Sequence, residues 1–300
     1  MALVPFDDRD GQIWFDGVMV PWREAKLHVL SHGLHYASGV FEGERAYGGN
    51  IFRLRAHTAR LLASGRILGF DIPWSADAID AACREVVAAN GLTDAYVRPI
   101  AWRGAEQLSV SAQQTKIHLA IATWPWPNLF GDNRMKGVRL DLAHWKRPHP
   151  QTAPTASKAA GLYMIGTLAK HAAEAAGFDD AIMLDWRGQV AEATGANVFF
   201  VFDGELHTPT PDCFLDGITR RSVMALARRH QMKVVERAIL AEEMPRASEV
   251  FLAGTAAEVT PVRRIGALEF TPARVTETLL ADYEQLVRMA PAEAGRMAPI

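Results

Sequence analysis

Cysteine is scarce in this 300-residue chain. Cys83 and Cys213 stand far apart and lack metal-ligand spacing, so neither a disulfide framework nor a cysteine-based metal site is expected. Charge of one sign is missing too: the formal net charge is −2 and the pI about 6.6, which gives no basic field for nucleic acid. No cluster of Lys and Arg suggests an anionic membrane, and no apolar run approaches spanning length. The strongest run, Val198-Phe199-Phe200-Val201-Phe202, stops at Asp203-Gly204 and reads as a buried strand. The start, Met1-Ala2-Leu3-Val4-Pro5, lacks a charged region followed by a long apolar one. These absences predict a disulfide-free cytoplasmic protein with a small-molecule ligand, no nucleic-acid partner and no membrane. A P-loop lysine and a repeated-glycine nucleotide fingerprint are also lacking.

At this length one core usually gives way to two, with roughly three quarters of the unfolded surface buried. Residues 12–15 and 18–20 flank Asp16-Gly17, a hairpin signal. A second hairpin is expected from 39–47 and 51–54 around Gly48-Gly49-Asn50. Apolar periodicity predicts helices over 57–68 and 75–90, the latter capped by Ser75, and strands over 95–103 and 116–124 complete an antiparallel sheet. The polar, glycine-bracketed stretch 131–137 reads as a linker, giving an α+β chain with a smaller domain over 1–130 and a larger one over 138–300. The second half is rich in short strands (138–144, 181–184, 189–192, 197–202, 205–207, 233–237, 249–253), with helices over 162–176, 218–230 and 272–288. Residues 290–300 read as a loose tail.

Lysine is itself uncommon, occurring at only seven positions, and one of them stands in Pro154-Thr155-Ala156-Ser157-Lys158-Ala159-Ala160-Gly161-Leu162-Tyr163. Small residues around Lys158 would let a bulky planar ligand approach, with a phenol nearby at Tyr163. An amine that condenses with a cofactor's aldehyde needs such surroundings. Only the neutral amine attacks a carbonyl, and at an unperturbed pKa of about 10.4 few molecules are neutral at pH 7.

Four motifs then occur in order: Thr155-Ala156-Ser157-Lys158 with Tyr163; Glu192-Ala193-Thr194-Gly195-Ala196-Asn197-Val198-Phe199; Gly217-Ile218-Thr219-Arg220; and Gly254-Thr255-Ala256-Ala257-Glu258. With Ser31-His32-Gly33-Leu34-His35-Tyr36 and Val40-Phe41-Glu42-Gly43, the chain resembles the class IV aminotransferases of pyridoxal-phosphate fold type IV, most closely the branched-chain type. The resemblance covers most of the chain. It implies two α+β domains with pyridoxal 5'-phosphate at their interface, and Lys158 as the residue that holds the cofactor and moves protons.

The resemblance further implies that Glu192 faces the ring nitrogen, keeping it protonated so that the ring drains a carbanion. Gly217, Ile218 and Thr219 open a predicted helix and Thr255 follows a strand, so both can offer N–H groups and a hydroxyl to the cofactor phosphate. Arg60 would complete that phosphate site, Tyr163 would bond the ring hydroxyl and Leu215 would pack on a ring face. For the substrate it implies Tyr96 and Arg98 with the Thr255 and Ala256 backbone at the carboxylates, and Phe41, Trp126 and a neighbouring subunit's Tyr36 around the side chain. Tyr96-Val97-Arg98 favours the branched-chain type over the D-amino-acid and (R)-amine types. Two positions depart from the family: Leu129 stands where a tyrosine is frequent and Ser109 where a glycine is.

The implied reaction moves an amino group from leucine, isoleucine or valine to 2-oxoglutarate in a homodimer or larger homo-oligomer. Rival readings on the same fold are aminodeoxychorismate lyase and the D-amino-acid and (R)-amine transaminases. A binding protein without chemistry is a further rival, against which Lys158 and Glu192 stand. His28, His32 and His35 lie close in sequence but are not read as a metal site.

Overall fold

The structure is a computed structural model that describes residues 4–126 and 135–300. The chain forms two compact units, one from Met1–Pro127 with Ser157–Gly161 and the other from Asn128–Ala156 with Leu162–Ile300. By packing, the short Lys158 segment therefore belongs to the first unit. Leu129 and positions 131–134 of the expected linker lie outside the described residues.

The first unit contains β1 (Gln12–Phe15), β2 (Val18–Pro21), α1 (His32–Tyr36), β3 (Gly39–Phe41), β4 (Glu44–Tyr47), β5 (Asn50–Ile51), α2 (Leu54–Ile67), α3 (Ala76–Ala89), β6 (Ala95–Arg103) and β7 (Ile117–Pro125). Its strands make one antiparallel sheet in the order β2-β1-β7-β6-β4-β5, with β3 also on β6. The Asp16-Gly17 turn has φ of 49° and 101°, the primed geometry that suits the strand twist. Ser75 caps α3 through its hydroxyl, which accepts the Ala78 N–H, as its residue type predicts. Where one strand over 39–47 was expected, Glu42-Gly43 breaks it into β3 and β4, and Leu54 opens α2 rather than ending a strand.

Pairing alternation sorts this sheet into two faces. Ala46, Val97, Leu119 and Ile121 join Leu61, Ile79, Cys83 and Val86 of the helices in the core. Side chains one position away, among them Tyr96 and Arg98, therefore face the opposite way.

The second unit contains β8 (Val138–Leu142), α4 (Met164–Ala175), β9 (Asp180–Leu184), β10 (Val190–Ala193), β11 (Asn197–Phe202), β12 (Glu205–Pro209), α5 (Ile218–Arg229), β13 (Val234–Arg237), β14 (Glu249–Gly254), β15 (Glu258–Ile265), β16 (Leu268–Glu269), α6 (Arg274–Leu286) and α7 (Pro291–Met297). Its sheet closes on itself. The path β10-β9-β8-β15-β14-β11 returns to β10 through the pair Glu192↔Asn197, so six strands form a ring. Leu140, Ile182, Val190, Val198, Phe200, Val250, Leu252 and Val262 make one of its cores.

The second half also differs from what the sequence led us to expect. The helix expected over 162–176 starts later, at Met164, and a 3-10 turn over Ala160–Tyr163 separates it from Lys158. The expected loose tail contains α7, which starts at a proline and buries Ala294 and Ala298. Strand β15 was not expected, because Pro261 and two arginines interrupt its pattern.

Candidate active site

Lys158 is fixed by its backbone. Its N–H donates to Ser64 Oγ at 3.0 Å, its carbonyl accepts the Phe41 N–H at 3.1 Å, and Ala159 bridges Val40 of β3. The segment thus runs as a short extension of the sheet edge, and its small residues permit the fit, since a Cβ on Gly161 would press on Ala37 at 2.9 Å.

Around Phe41 the first unit gathers a cation set. Lys158 Nζ lies 4.9 Å and the Arg98 guanidinium carbon 4.6 Å from the centre of the Phe41 ring. Arg98 Nη2 donates to the Tyr96 hydroxyl at 3.1 Å, and the Tyr96 ring packs on Trp124 and Trp126 at 5.1 and 4.9 Å. Arg98 Nε and the indole nitrogens of Trp124 and Trp126 are buried donors with no hydrogen-bond partner among the described residues. Buried donors are normally satisfied, so this cluster suits a ligand rich in acceptor oxygens. Gly43 is required beside it, because a Cβ there would overlap the Tyr96 hydroxyl. Trp124 was not anticipated, although Trp124-Pro125-Trp126 in a strand was a readable sign.

Arg60 and Tyr36 behave differently. Arg60 on α2 is gripped by the buried Glu42, with Nε to Oε1 at 2.6 Å and Nη2 to Oε2 at 2.8 Å. Tyr36 stacks on His32 with ring centres 4.6 Å apart and is half-exposed. His32 bonds Ser38 Oγ and the Ser109 carbonyl, and His35 the Val29 carbonyl, so these ring nitrogens serve the loop.

In the second unit the predicted residues converge on Asn197, which sits at the ring's closing pair. Its Nδ2 donates to Glu192 Oε2 at 3.2 Å and to the Leu215 carbonyl at 3.0 Å. A Cβ on Gly217 would overlap its Oδ1. Asn197 also pairs with Ala253, one residue before Gly254, which packs on Ala196; the turn carrying Thr255 and Ala256 follows directly. Glu192 Oε1 meets Arg147 Nη2 at 2.6 Å, and both side chains are more than nine-tenths buried. Arg147 reaches the Leu162 carbonyl beside Tyr163, whose backbone caps α4. The α5 N-terminus at Gly217-Ile218-Thr219 leaves backbone N–H groups for an anion. Arg220 is not one of its anion ligands, since Asp216 and Glu236 hold it.

Asn197 and Arg147 were not assigned roles from sequence. Asn197 lies inside a quoted motif, whereas nothing local marks Arg147, whose neighbour Asp185 is 38 positions away. The cluster of Asp185, Asp212 and Cys213 has metal-like spacing, but Arg187 already satisfies both carboxylates, and burial beside Asp212 and Asp185 pushes the Cys213 thiol up to about 12.

Comparisons with known proteins place the chain in a family. Residues 39–265 match the family model of amino-transferase class IV. The branched-chain-amino-acid aminotransferase of Pseudomonas aeruginosa is 43% identical over 288 residues, covering 93% of this chain and 94% of that protein. A branched-chain aminotransferase from Thermoproteus uzoniensis, crystallised with norvaline, has a TM-score of 0.91 at 37% identity, covering 96% of this chain and 98% of that one. The branched-chain amino acid aminotransferase of T.th., complexed with N-(5'-phosphopyridoxyl)-L-glutamate, gives the same TM-score, identity and coverage. With the Lys158 segment, the Glu192 strand and the Gly217 helix start in place, this chain belongs to the class IV aminotransferases.

Proposed function

We propose that this protein reversibly transfers the amino group of leucine, isoleucine or valine to 2-oxoglutarate, using pyridoxal 5'-phosphate. The observation that carries the substrate reading is the pairing on Phe41: an amine and a guanidinium each lie within 5 Å of one aromatic ring centre, at 4.9 and 4.6 Å. An apolar ring suits a branched side chain, whereas Arg98 suits the second carboxylate of glutamate and 2-oxoglutarate. The relatives' names and the phosphopyridoxyl-glutamate in one of them support the same choice.

Bound pyridoxal phosphate supplies an electron sink for the charge left when a Cα proton departs. Lys158 Nζ would hold its aldehyde carbon until the substrate amine displaces it, and the freed amine would then carry the proton from Cα, as general base, to the cofactor's C4′ carbon, as general acid. Glu192, held by Arg147 and Asn197, would keep the ring nitrogen protonated. Tyr163 bonds the ring hydroxyl and Leu215 packs on the ring. As phosphate ligands this reading takes Arg60 of the first unit and, of the second, the first N–H groups of α5 at Gly217, Ile218 and Thr219 with Thr255. Tyr96 with the Thr255 and Ala256 backbone takes the α-carboxylate. Trp126 lines the side-chain site, which Tyr36 completes from a second copy in a homo-oligomer.

The test is a donor panel with 2-oxoglutarate, scored as kcat/KM for each half-reaction. Leucine, isoleucine and valine should lead, and Arg98→Ala should harm glutamate and 2-oxoglutarate more than leucine. Equal harm would place Arg98 at the α-carboxylate or in the fold. Pyruvate release without an acceptor would indicate a lyase instead. Borohydride reduction should fix the cofactor to Lys158; an adduct on Lys146 or Lys170 would overturn that role.

A further inference from the structure

Glu42 sits in the break between β3 and β4 with no exposed surface. A carboxylate so far from water is tolerated only when paired and hydrogen-bonded on both oxygens. Oε1 accepts from Arg60 Nε at 2.6 Å, and Oε2 accepts from Arg60 Nη2, His57 Nδ1 and the Gly43 N–H at 2.8, 2.7 and 3.3 Å. Burial acts to raise its pKa, but the charge and hydrogen bond of Arg60 and the bond from His57 outweigh it and hold the carboxyl below its usual range. Burial pushes His57 down, so its ring is neutral near pH 7 and Nδ1 carries the hydrogen that faces Glu42.

The backbone fixes this set as firmly as the side chains do. The Glu42 N–H donates to the Pro99 carbonyl of β6 at 2.8 Å, so the carboxylate cannot drift along the sheet. His57, Arg60 and Ser64 fall at i, i+3 and i+7 on α2, one face of the helix. Ser64 receives the Lys158 N–H, and the Lys158 charge lies close enough to contribute to the lowering of His57. One helix face thus holds both the lysine's backbone and, through Glu42, the guanidinium.

We propose that Glu42, steadied by His57, is a positioning residue: it grips Arg60 along its Nε–Nη2 edge and so presents the guanidinium to the cofactor phosphate in one orientation. The inference rests on the reading of Arg60 as a phosphate ligand. A bidentate grip on a planar fork removes the rotations that an arginine on a helix otherwise explores. It also places a carboxylate beside a cation meant for a dianion. A group kept there despite that opposing charge serves by geometry rather than by attraction.

The experiment compares affinities for pyridoxal 5'-phosphate and for pyridoxal, which lacks the phosphate, after the cofactor is dialysed from the holoenzyme. Glu42→Gln should lower the ratio of the two affinities by ~10- to 100-fold, the range seen when groups that orient a ligand's partner are removed. Arg60→Ala should lower it at least as far, and the double variant should add little. The phosphorus-31 resonance of the reconstituted Glu42→Gln enzyme should shift. A merely structural Glu42 would lower the melting temperature and leave both the ratio and the resonance where they were, which overturns the inference. Should Glu42→Gln not fold, His57→Phe removes the Nδ1 donor while keeping a ring, and an unchanged ratio there overturns it equally. If Arg60→Ala itself leaves the ratio unchanged, the phosphate reading of Arg60 fails; if only Glu42→Gln does, that reading stands and the positioning role falls.

Discussion

Glu192 carries a test at the scale of one residue, because its two oxygens are held from two sides. Arg147→Met would leave a buried carboxylate without its cation, a change that costs roughly 3–5 kcal/mol when one partner of a buried pair is removed. The expected outcome is a lower melting temperature together with a lower kcat at saturating substrate. Glu192→Gln should keep the fold and cofactor and lower kcat by ~100- to 1000-fold, equivalent to ~3 to 4 kcal/mol. Unchanged turnover at saturating substrate would remove Glu192 from the chemistry. The role of Glu192 was legible because its motif is long, while its partner was not. Arg147 reaches it through strand pairing that no local pattern encodes.

Glu44 makes a second test at this scale, with a sign that can be worked out. It is wholly buried in the core, and neither carboxylate oxygen has a nitrogen or oxygen hydrogen-bond donor among the described residues, so that only the Cys83 thiol acts on it as a neighbouring donor. Burial, then the charges of Glu42 and Asp80, push its pKa well above 4.5, with the Cys83 thiol and Arg60 opposing. A carboxyl whose pKa rises on folding binds its proton more tightly folded than unfolded. The stability it permits is complete below about pH 4.5 and declines as pH rises toward the folded pKa. Compared at pH 5.5 and 8.5, Glu44→Gln should therefore gain stability relative to the parent, by ~1.4 kcal/mol for each pH unit over which the folded carboxyl keeps its proton. Urea midpoints at the two pH values measure this, and a constant difference between the proteins would show that Glu44 does not titrate in that window. Glu44 opens β4 opposite Val97 and two positions before the core residue Ala46, and nothing in Glu44-Arg45-Ala46-Tyr47 signals its burial; that follows from register alone.

Elements were legible where the local signal was strong and lost where a long-range partner decides. The Asp16-Gly17 hairpin, the Ser75 cap and β6 over Ala95–Arg103 stand as their residues predict. The parallel pairing of β8 with β9 and β15, which closes the ring, depends on strands far apart in sequence. The Glu42-Gly43 break belongs to this second kind, and it yields the element-scale prediction. Glu42 turns toward Arg60 there, while Gly43 leaves room for the Tyr96 hydroxyl. Gly43→Ala should displace Tyr96 and with it Arg98, raising KM for glutamate by about tenfold, or ~1.4 kcal/mol, with the cofactor retained. Loss of cofactor in step with substrate affinity would mean that the turn supports the whole sheet edge rather than the Tyr96–Arg98 pair.

For the whole molecule, the exposed surface bears on how many copies act together. The stretch 27–36 exposes Leu27, Val29, Leu30, Leu34 and Tyr36, each between 45 and 68% accessible. Isolated exposed apolar residues are ordinary, but five within ten positions, several on or beside α1, form a patch of the kind that a second chain covers. Cyclic dimers are the commonest closed assembly, and a self-complementary patch would bring each Tyr36 to a neighbouring copy. Sedimentation should then show a dimer or a multiple of it, and specific activity should fall on dilution below its dissociation constant. Leu34→Glu, which puts a charge in the patch and touches no residue of the Phe41 cluster, should shift the equilibrium toward monomer at concentrations where the parent is fully associated. If the dimer completes the side-chain site through Tyr36, the monomer should still bind pyridoxal phosphate and lose kcat/KM for leucine. A Leu34→Glu monomer with parental kcat/KM would show that each chain builds its own site, and Tyr36 would then have no place in it.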